Sequence, residues 1–123
     1  MMTDKDKLLR RFNEAFAAND LEYLKMHISD DIIWVIAGDK IVKGKENFIR
    51  EVEAMKDERG FEMNIDNVIT HGSAAAVDGT MVKNERNGKS LTWAFCDIYG
   101  FSGFKNPKIK KITSYVVTVG ESE

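Results

Sequence analysis

The spacing of apolar side chains predicts three helices in the first half of the chain. Apolar residues recur at intervals of three and four positions in two stretches near the start and in a third over residues 45–55. Thr3 or Asp4 caps the first helix, and Asn19 ends it, because asparagine tolerates the left-handed turn that follows many helices. Asp20 is a suitable cap for the second helix.

The second helix is short, and a strand follows it. Its apolar stripe consists of Leu21, Leu24 and Ile28, and the polar run Ser29-Asp30-Asp31 is expected to break it. The next run, IIWVIA, is β-branched and too short for a helix, so it predicts a strand over residues 32–37.

Strand patterns fill the rest of the chain from Phe61 onward. The stretch FEMNID alternates between apolar and polar residues, which predicts a strand with one face in water. Asn87-Gly88 is a strong hairpin signal between two longer strands. The predicted strands after the first are a return strand at residues 41–42 and longer ones at 61–66, 74–86, 91–101 and 108–119.

Helices that precede an antiparallel sheet indicate an α+β fold. We expect about three N-terminal helices to pack on one face of a strongly curved antiparallel sheet as a cone, whose mouth is a natural ligand site. The chain has 123 residues, which is the size of one domain, and no repeat or linker divides residues 1–123.

Composition and charge narrow the classes of function. Apolar residues make up 43% of the chain and charged residues 31%, and the net charge is -2. This balance is typical of a soluble globular protein and argues against nucleic acid as a partner, because nucleic-acid-binding domains usually carry a basic excess. The charged first residues do not resemble a secretion signal, and no apolar run is long enough for a membrane span. We therefore expect a cytoplasmic protein without a membrane partner.

Sequence motifs for cofactors and metals are absent. The phosphate loops GxGxxG and GxxxxGKS/T do not occur, and HExxH and CxxC are missing as well. The single cysteine, Cys96, allows no internal disulfide and favours a reducing compartment. Two histidines and one cysteine argue against a structural zinc site. We expect neither a metal nor a cofactor.

The segment LTWAFCDIYGF places one carboxylate among aromatic rings. In a strand, Trp93, Phe95, Tyr99 and Phe101 share a face with Asp97. Burial among rings raises the pKa of a carboxyl group, and a protonated acid can donate a hydrogen bond to a developing oxyanion or pass on a proton. In the alternative interpretation, this aspartate bonds a neighbouring hydroxyl or backbone group and only orders the pocket.

Other residues extend this candidate site. Asp78 lies in a small apolar strand beside Gly79, which suggests a bulge or a close backbone approach. It is either a solvated carboxylate or, if it shares a face with Asp97, one half of an acid pair. Trp34 and Trp93 are either ordinary core residues or the walls of an apolar slot.

The opposite face of the same strand carries Thr92, Ala94, Cys96 and Ile98. This outer face is small and apolar, although it lies on the side away from the predicted pocket. We expect it to form an isologous contact in a homodimer.

Two segments resemble the nuclear transport factor 2-like (cystatin-like) superfamily, and SnoaL-like proteins in particular. The first is FNEAFAANDLEYLKMHISDDIIWVIAGDKIVKGKENFIREV, with Phe12 and Phe16, an Asn-Asp break, an Asp-Asp pair before a strand and Gly-Lys-Glu before a helix. The second is LTWAFCDIYGF followed by KIKKITSYVV. The resemblance implies a cone of three helices on a strongly curved sheet, often dimeric. That fold hosts isomerases, dehydratases, epoxide hydrolases, cyclases and non-enzymatic binders.

The resemblance also implies roles at individual positions. Similarity to ketosteroid isomerases puts their oxyanion-hole aspartate on Asp97, but their general base on Ile36 and their tyrosine donor on Phe12. The final-strand aspartate of the limonene epoxide hydrolase type falls on Ser114. SnoaL-like polyketide cyclases use one aspartate as both acid and base, and Asp97 is suited to that role.

The first hypothesis is therefore an acid/base enzyme of isomerase, cyclase or hydrolase type, in which Asp97 acts on a small apolar molecule. A non-catalytic ligand-binding module and a dimeric interaction module are the alternatives. The expected pocket residues besides Asp97 are Phe12, Trp34, Ile36, Asp78, Trp93, Phe95, Tyr99 and Ser114.

Overall fold

Three helices and six strands form the described part of the chain, which in this computed structural model comprises residues 2–56, 60–85, 87–103 and 105–122. The predicted α+β class is confirmed. Arg86, the predicted end of the fourth strand, lies outside the described residues. The elements are α1 (Asp4–Ala18), α2 (Leu21–His27), β1 (Ile28–Ile36), β2 (Lys40–Lys43), α3 (Lys45–Ala54), β3 (Glu62–His71), β4 (Ala74–Asn84), β5 (Ser90–Ser102) and β6 (Lys108–Ser122).

The helix ends follow the predicted capping residues. The Thr3 hydroxyl accepts a hydrogen bond of 3.1 Å from the backbone N–H of Asp6. Asn19 ends α1 in the left-handed conformation, with φ 57°. The Asp20 carboxylate accepts a bond of 3.3 Å from the N–H of Tyr23 and so caps α2.

The boundary between α2 and β1 differs from the prediction. Ile28 was expected in the helix and residues 29–31 in a break, but Ile28 is extended and residues 29–31 belong to β1. Ile28 is fully buried and pairs with Ile109 of β6. Burial against a distant strand therefore outweighs the helical spacing of this isoleucine.

The sheet has the strand order β2-β1-β6-β5-β4-β3. Its neighbouring strands are antiparallel, as predicted, except for β1 and β6, which run parallel. A parallel neighbour cannot be reached through a hairpin, and this one is distant in sequence. Local turn signals contain no information about such a pair.

Irregular pairing bends the sheet at several places. The β3–β4 register shifts between Ile65 and Asn67, which is the pattern of a bulge. Opposite it, a Cβ atom added to Gly79 would lie 1.9 Å from the backbone oxygen of Asn64. The predicted close backbone approach at Gly79 is thus confirmed, and it leaves no room for a side chain.

One apolar core joins the helices to the inner face of the sheet. Leu9, Leu24 and Val52 from the three helices are fully buried together with Val77 and Ile109 from the sheet. Their burial supplies most of the driving force for packing, since removing apolar surface from water contributes about 25 cal/mol per Å². Among the described residues, none of the helices is long and apolar enough to cross a membrane.

Candidate functional site

A cavity of about 320 Å³ lies between the helices and the inner face of the sheet. Its volume is at the lower end of the range for small-molecule sites. Every helix except α2 and every strand except β2 contributes to its wall. The lining residues are Phe12, Asn13, Phe16, Trp34, Ile36, Asp39, Phe48, Met55, Met63, Met81, Trp93, Phe95, Asp97, Tyr99, Ile112, Ser114 and Val116.

Most of the predicted site residues meet in this cavity. They come from α1, β1, β5 and β6, and the strand alternation around Asp97 places the expected rings on its side of the sheet. The predicted residues that line the cavity are Asp97, Phe12, Trp34, Ile36, Trp93, Phe95, Tyr99 and Ser114. The fold thus brings together residues that are far apart in the sequence.

Asp78 is the exception, because it lies on the other face of the sheet. In the β4–β5 register Asp78 is opposite Cys96, whereas Asp97 is opposite Val77. Directly paired residues point to the same face, so the two carboxylates point to opposite faces. Asp78 instead accepts a bond of 2.9 Å from the amide of Asn67. The hypothesis of an acid pair with Asp97 is therefore wrong.

Asp97 is enclosed by protein except where it borders the cavity. The Tyr99 hydroxyl donates a hydrogen bond of 3.3 Å to Oδ2 of Asp97. Ser114 is its direct partner across the β5–β6 pair, and the Ser114 hydroxyl favours the charged form of the carboxyl group. Burial raises the pKa of Asp97 from 3.8 to about 6, although the bonds from Ser114 and Tyr99 favour the charged form and oppose this shift. At neutral pH the group is therefore mostly ionised but close to its midpoint.

A second layer of donors supports the two hydroxyls. The Nδ2 of Asn13 lies 3.2 Å from the Tyr99 Oη and 2.8 Å from the backbone oxygen of Leu9. The Nε1 of Trp34 donates to the Ser114 Oγ at 2.9 Å. A chain of hydrogen bonds thus runs from α1 and β1 to the carboxyl group on β5.

Asn13 is a site residue that the sequence interpretation missed. It is only 3% exposed, and it lies on the buried side of α1 one turn after Leu9. Spacing of four residues from a buried leucine puts a polar side chain into the apolar stripe of a helix. A polar residue at this apolar position of the helix is the signal by which Asn13 could have been found.

Aromatic rings and methionines form the remaining wall. The Trp34 ring contacts Phe48, with ring centroids 5.0 Å apart, and meets Phe16 edge to face at 6.1 Å. Across the cavity, Met63 and Met81 present flexible thioether side chains that adapt to irregular shapes. The wall therefore suits a mainly apolar molecule.

Comparisons with known proteins agree with this architecture. An NTF2-like protein of unknown function from Cytophaga hutchinsonii is 30% identical, with a TM-score of 0.73 over 90% of this chain and 97% of that one. An LEH-like epoxide hydrolase from M. tuberculosis is 17% identical, with a TM-score of 0.75 over 90% of this chain and 80% of that one. A protein assigned as a SnoaL-like polyketide cyclase, from Shewanella putrefaciens, is 14% identical, with a TM-score of 0.77 over 94% and 80%.

The similarities to the epoxide hydrolase and to the SnoaL-like polyketide cyclase, at 17% and 14% identity, concern the fold alone. No curated protein matches the chain. The sequence profile of the SnoaL-like domain matches residues 9–112, which is most of the chain. The predicted resemblance is therefore confirmed, and the chain belongs to the SnoaL-like domain family.

Proposed function

We propose that the protein binds a small, largely apolar molecule in this cavity and that Asp97 exchanges a proton with it. The observation that supports this function is the carboxyl group of Asp97 in the wall of a mainly apolar cavity, where it lies beside the hydroxyls of Tyr99 and Ser114. Enzymes commonly use such a group, since a pKa near the working pH favours proton transfer in both directions.

Asp39, the other carboxyl group of the described wall, is exposed, so Asp97 is the one shielded proton carrier and the chemistry is limited to reactions that need one. The resemblance puts the general base of ketosteroid isomerases on Ile36 and the final-strand aspartate of the epoxide hydrolase type on Ser114, and neither residue is a carboxylate here. Ionised Asp97 would take a proton from one atom of the ligand and return it to another atom of the same molecule. The net result is an isomerisation or a cyclisation, and proton and charge balance without any further reactant.

A proton-abstraction assay tests this function without knowledge of the natural ligand. The bicyclic ketone 2-tetralone carries acidic C–H groups on an apolar frame of suitable size, and for exchange a C–H group rather than the carbonyl oxygen must face Asp97. In D₂O, the wild-type protein is expected to accelerate deuterium exchange at these positions, as followed by NMR. Asp97→Asn should abolish the acceleration while the ketone still binds.

Asp78→Asn is the matched control, because it removes the same charge from the outer face of the sheet. It should exchange deuterium at the wild-type rate. If the ketone binds to the wild-type protein without faster exchange, the proton-transfer function is wrong and a non-catalytic binding module is left. In that case Asp97→Asn lowers the affinity for the ketone and has no other effect. If the role of Asp97 is purely structural, the substitution changes only the stability of the protein.

We also propose that the protein forms a homodimer through the outer face of the sheet. Several apolar side chains on that face are exposed to solvent, among them Ile69 at 64%, Ile98 at 42%, Tyr115 at 53% and Val117 at 65%. Apolar patches of this kind commonly mark protein interfaces.

The mass in solution tests the dimer. By light scattering, Val117→Asp should convert a dimer into a monomer. Met26→Asp is the control, because Met26 is equally apolar and 61% exposed but lies on α2. A monomeric wild-type protein at concentrations of about 100 μM would contradict the dimer.

A further inference from the structure

The hydrogen bonds around Asp97 have a defined direction. The Nδ2 of Asn13 contacts the backbone oxygen of Leu9, which can only accept, so the amide nitrogen of Asn13 is fixed as the donor. Its second hydrogen points to the Tyr99 Oη, which must accept it. The Tyr99 hydroxyl proton is then left for Oδ2 of Asp97.

The same reasoning applies on the other side of the carboxyl group. The indole Nε1 of Trp34 is a donor only, so the Ser114 Oγ accepts from it. The Ser114 hydroxyl proton is thereby free for its contact with Asp97. Both protein neighbours of Asp97 are therefore donors, and the carboxyl group meets them as an acceptor.

A carboxylate in this arrangement has acceptor capacity left over on the side of the cavity. An ionised carboxylate offers about four lone-pair positions, and Tyr99 and Ser114 use two of them. A ligand group that reaches Asp97 must then donate a hydrogen bond. A ligand group that only accepts would face an acceptor across a short distance.

The charges of the cavity wall lead to the same conclusion independently. Among the described lining residues, Asp39 and Asp97 are acidic and none is Lys, Arg or His. An anionic ligand would be repelled by these carboxylates with no cation in the described wall to compensate. A cation is attracted, and aromatic rings such as Trp34, Trp93 and Phe95, which line the cavity, can add to that attraction.

We propose that the part of the cavity at Asp97 selects ligand groups that donate a hydrogen bond and carry no negative charge, so that it binds a protonated amine more tightly than an alcohol. This inference deepens the proposed function and depends on it, since it names the ligand class for the same cavity. It assigns a positioning role to the amide of Asn13 and to the indole N–H of Trp34, which fix the two hydroxyls as donors toward Asp97.

Three probes with one hydrocarbon frame test the inference, namely 1-adamantylamine, 1-adamantanol and 1-adamantanecarboxylate. The chain has two tryptophans, and both Trp34 and Trp93 line the cavity. Intrinsic tryptophan fluorescence therefore reports binding without a label, and calorimetry at pH 8 gives the affinities. The amine should bind at least about tenfold more tightly than the carboxylate, with the alcohol between them, because tenfold corresponds to one modest charge interaction.

Variants separate the effect of Asp97 from a general preference of the protein. In Asp97→Asn, the preference for the amine over the carboxylate should fall to within about threefold, while the alcohol still binds. Asp78→Asn should keep the wild-type order. A carboxylate that binds as tightly as the amine to the wild-type protein overturns the inference.

The two proposals fail in different ways. If the three probes bind the wild-type protein with equal affinity and Asp97→Asn leaves these affinities equal, the proposed selectivity is wrong but the cavity still binds small molecules. If no adamantane probe binds and 2-tetralone does not bind either, then both the proposed function and the ligand class are wrong.

Discussion

Asp97 and Ser114 lie directly opposite each other on β5 and β6, and the serine hydroxyl lowers the pKa of the aspartate carboxyl group. Ser114 also accepts the indole N–H of Trp34 from the parallel neighbour β1. The environment of one carboxyl group thus depends on three adjacent strands. This relationship, together with the bond from Tyr99, leads to predictions for the ionisation of Asp97 and for stability.

Removing the Tyr99 hydroxyl should raise the pKa of Asp97 above its value of about 6. The hydroxyl donates to the charged form, so its loss in Tyr99→Phe disfavours ionisation. Carboxyl carbon NMR, assigned with Asp97→Asn, measures the shift. Tyr115→Phe is the control, because Tyr115 is exposed on the outer face. An unchanged pKa in Tyr99→Phe would show that this bond does not stabilise the carboxylate.

The ionisation of Asp97 should make the protein less stable at high pH. Its pKa is about 6 in the folded chain against an ordinary 3.8, so the folded state binds the proton more tightly. The stabilisation of the folded state by the proton on Asp97 is fully present below the ordinary pKa and is lost as pH rises through about 6. Relative to Asp97→Asn, the wild-type free energy of unfolding should fall by about 1 kcal/mol between pH 5 and pH 8.

Urea denaturation of both proteins at the two pH values measures this difference. All other titratable groups are common to both proteins, so their effects cancel in the comparison. Asp78→Asn should follow the wild-type pH dependence. If the wild-type free energy of unfolding instead rises with pH relative to that of Asp97→Asn, folding stabilises the charged form of Asp97. That result would contradict the raised pKa of the buried group.

The bond between Trp34 and Ser114 should be visible as a coupling free energy. Ser114→Ala leaves the buried indole N–H without its partner, which costs about 1 to 3 kcal/mol. In the Trp34→Phe background, Ser114→Ala does not incur that penalty, because no indole N–H is left without a partner. The loss of the Ser114 contact with Asp97 is the same in the wild-type and Trp34→Phe backgrounds. Chemical denaturation of the four proteins should therefore give a coupling of about 1 kcal/mol. Additive effects would contradict a direct bond.

Gly79→Ala should destabilise the sheet strongly. The added methyl carbon would lie 1.9 Å from the backbone oxygen of Asn64, and backbone atoms cannot move aside cheaply. We expect a loss of about 3 kcal/mol in the free energy of unfolding. Gly120→Ala is the control, since nothing lies within 4 Å of its added carbon. Equal stability of the two variants would contradict the close approach.

Local signals in the sequence predicted most of the elements. Thr3, Asn19 and Asp20 mark the helix ends, because capping depends on bonds within a few residues. The alternation around Asp97 correctly grouped it with Trp93 and Tyr99, since the side-chain period of a strand is two. These features need no knowledge of the distant chain.

Features that depend on register or distant pairing were not predicted. The relative faces of Asp78 and Asp97 follow from the pairing of β4 with β5, and a shift of one residue reverses them. Ile28 joins a strand rather than a helix because Ile109 lies beside it. The amide of Asn13 has a role only because the distant Tyr99 hydroxyl meets it.

The parallel pairing of β1 with β6 has a consequence for how the protein folds. The β1–β2 hairpin and its helices belong to the first half of the chain, but β1 acquires its central neighbour only when β6 docks. Pairing across such a sequence distance is slow, because the entropy of loop closure is lost before contacts form. The polar site around Asp97 includes Trp34 on β1 and Ser114 on β6. Because these two strands pair late, the site assembles in the late steps of folding.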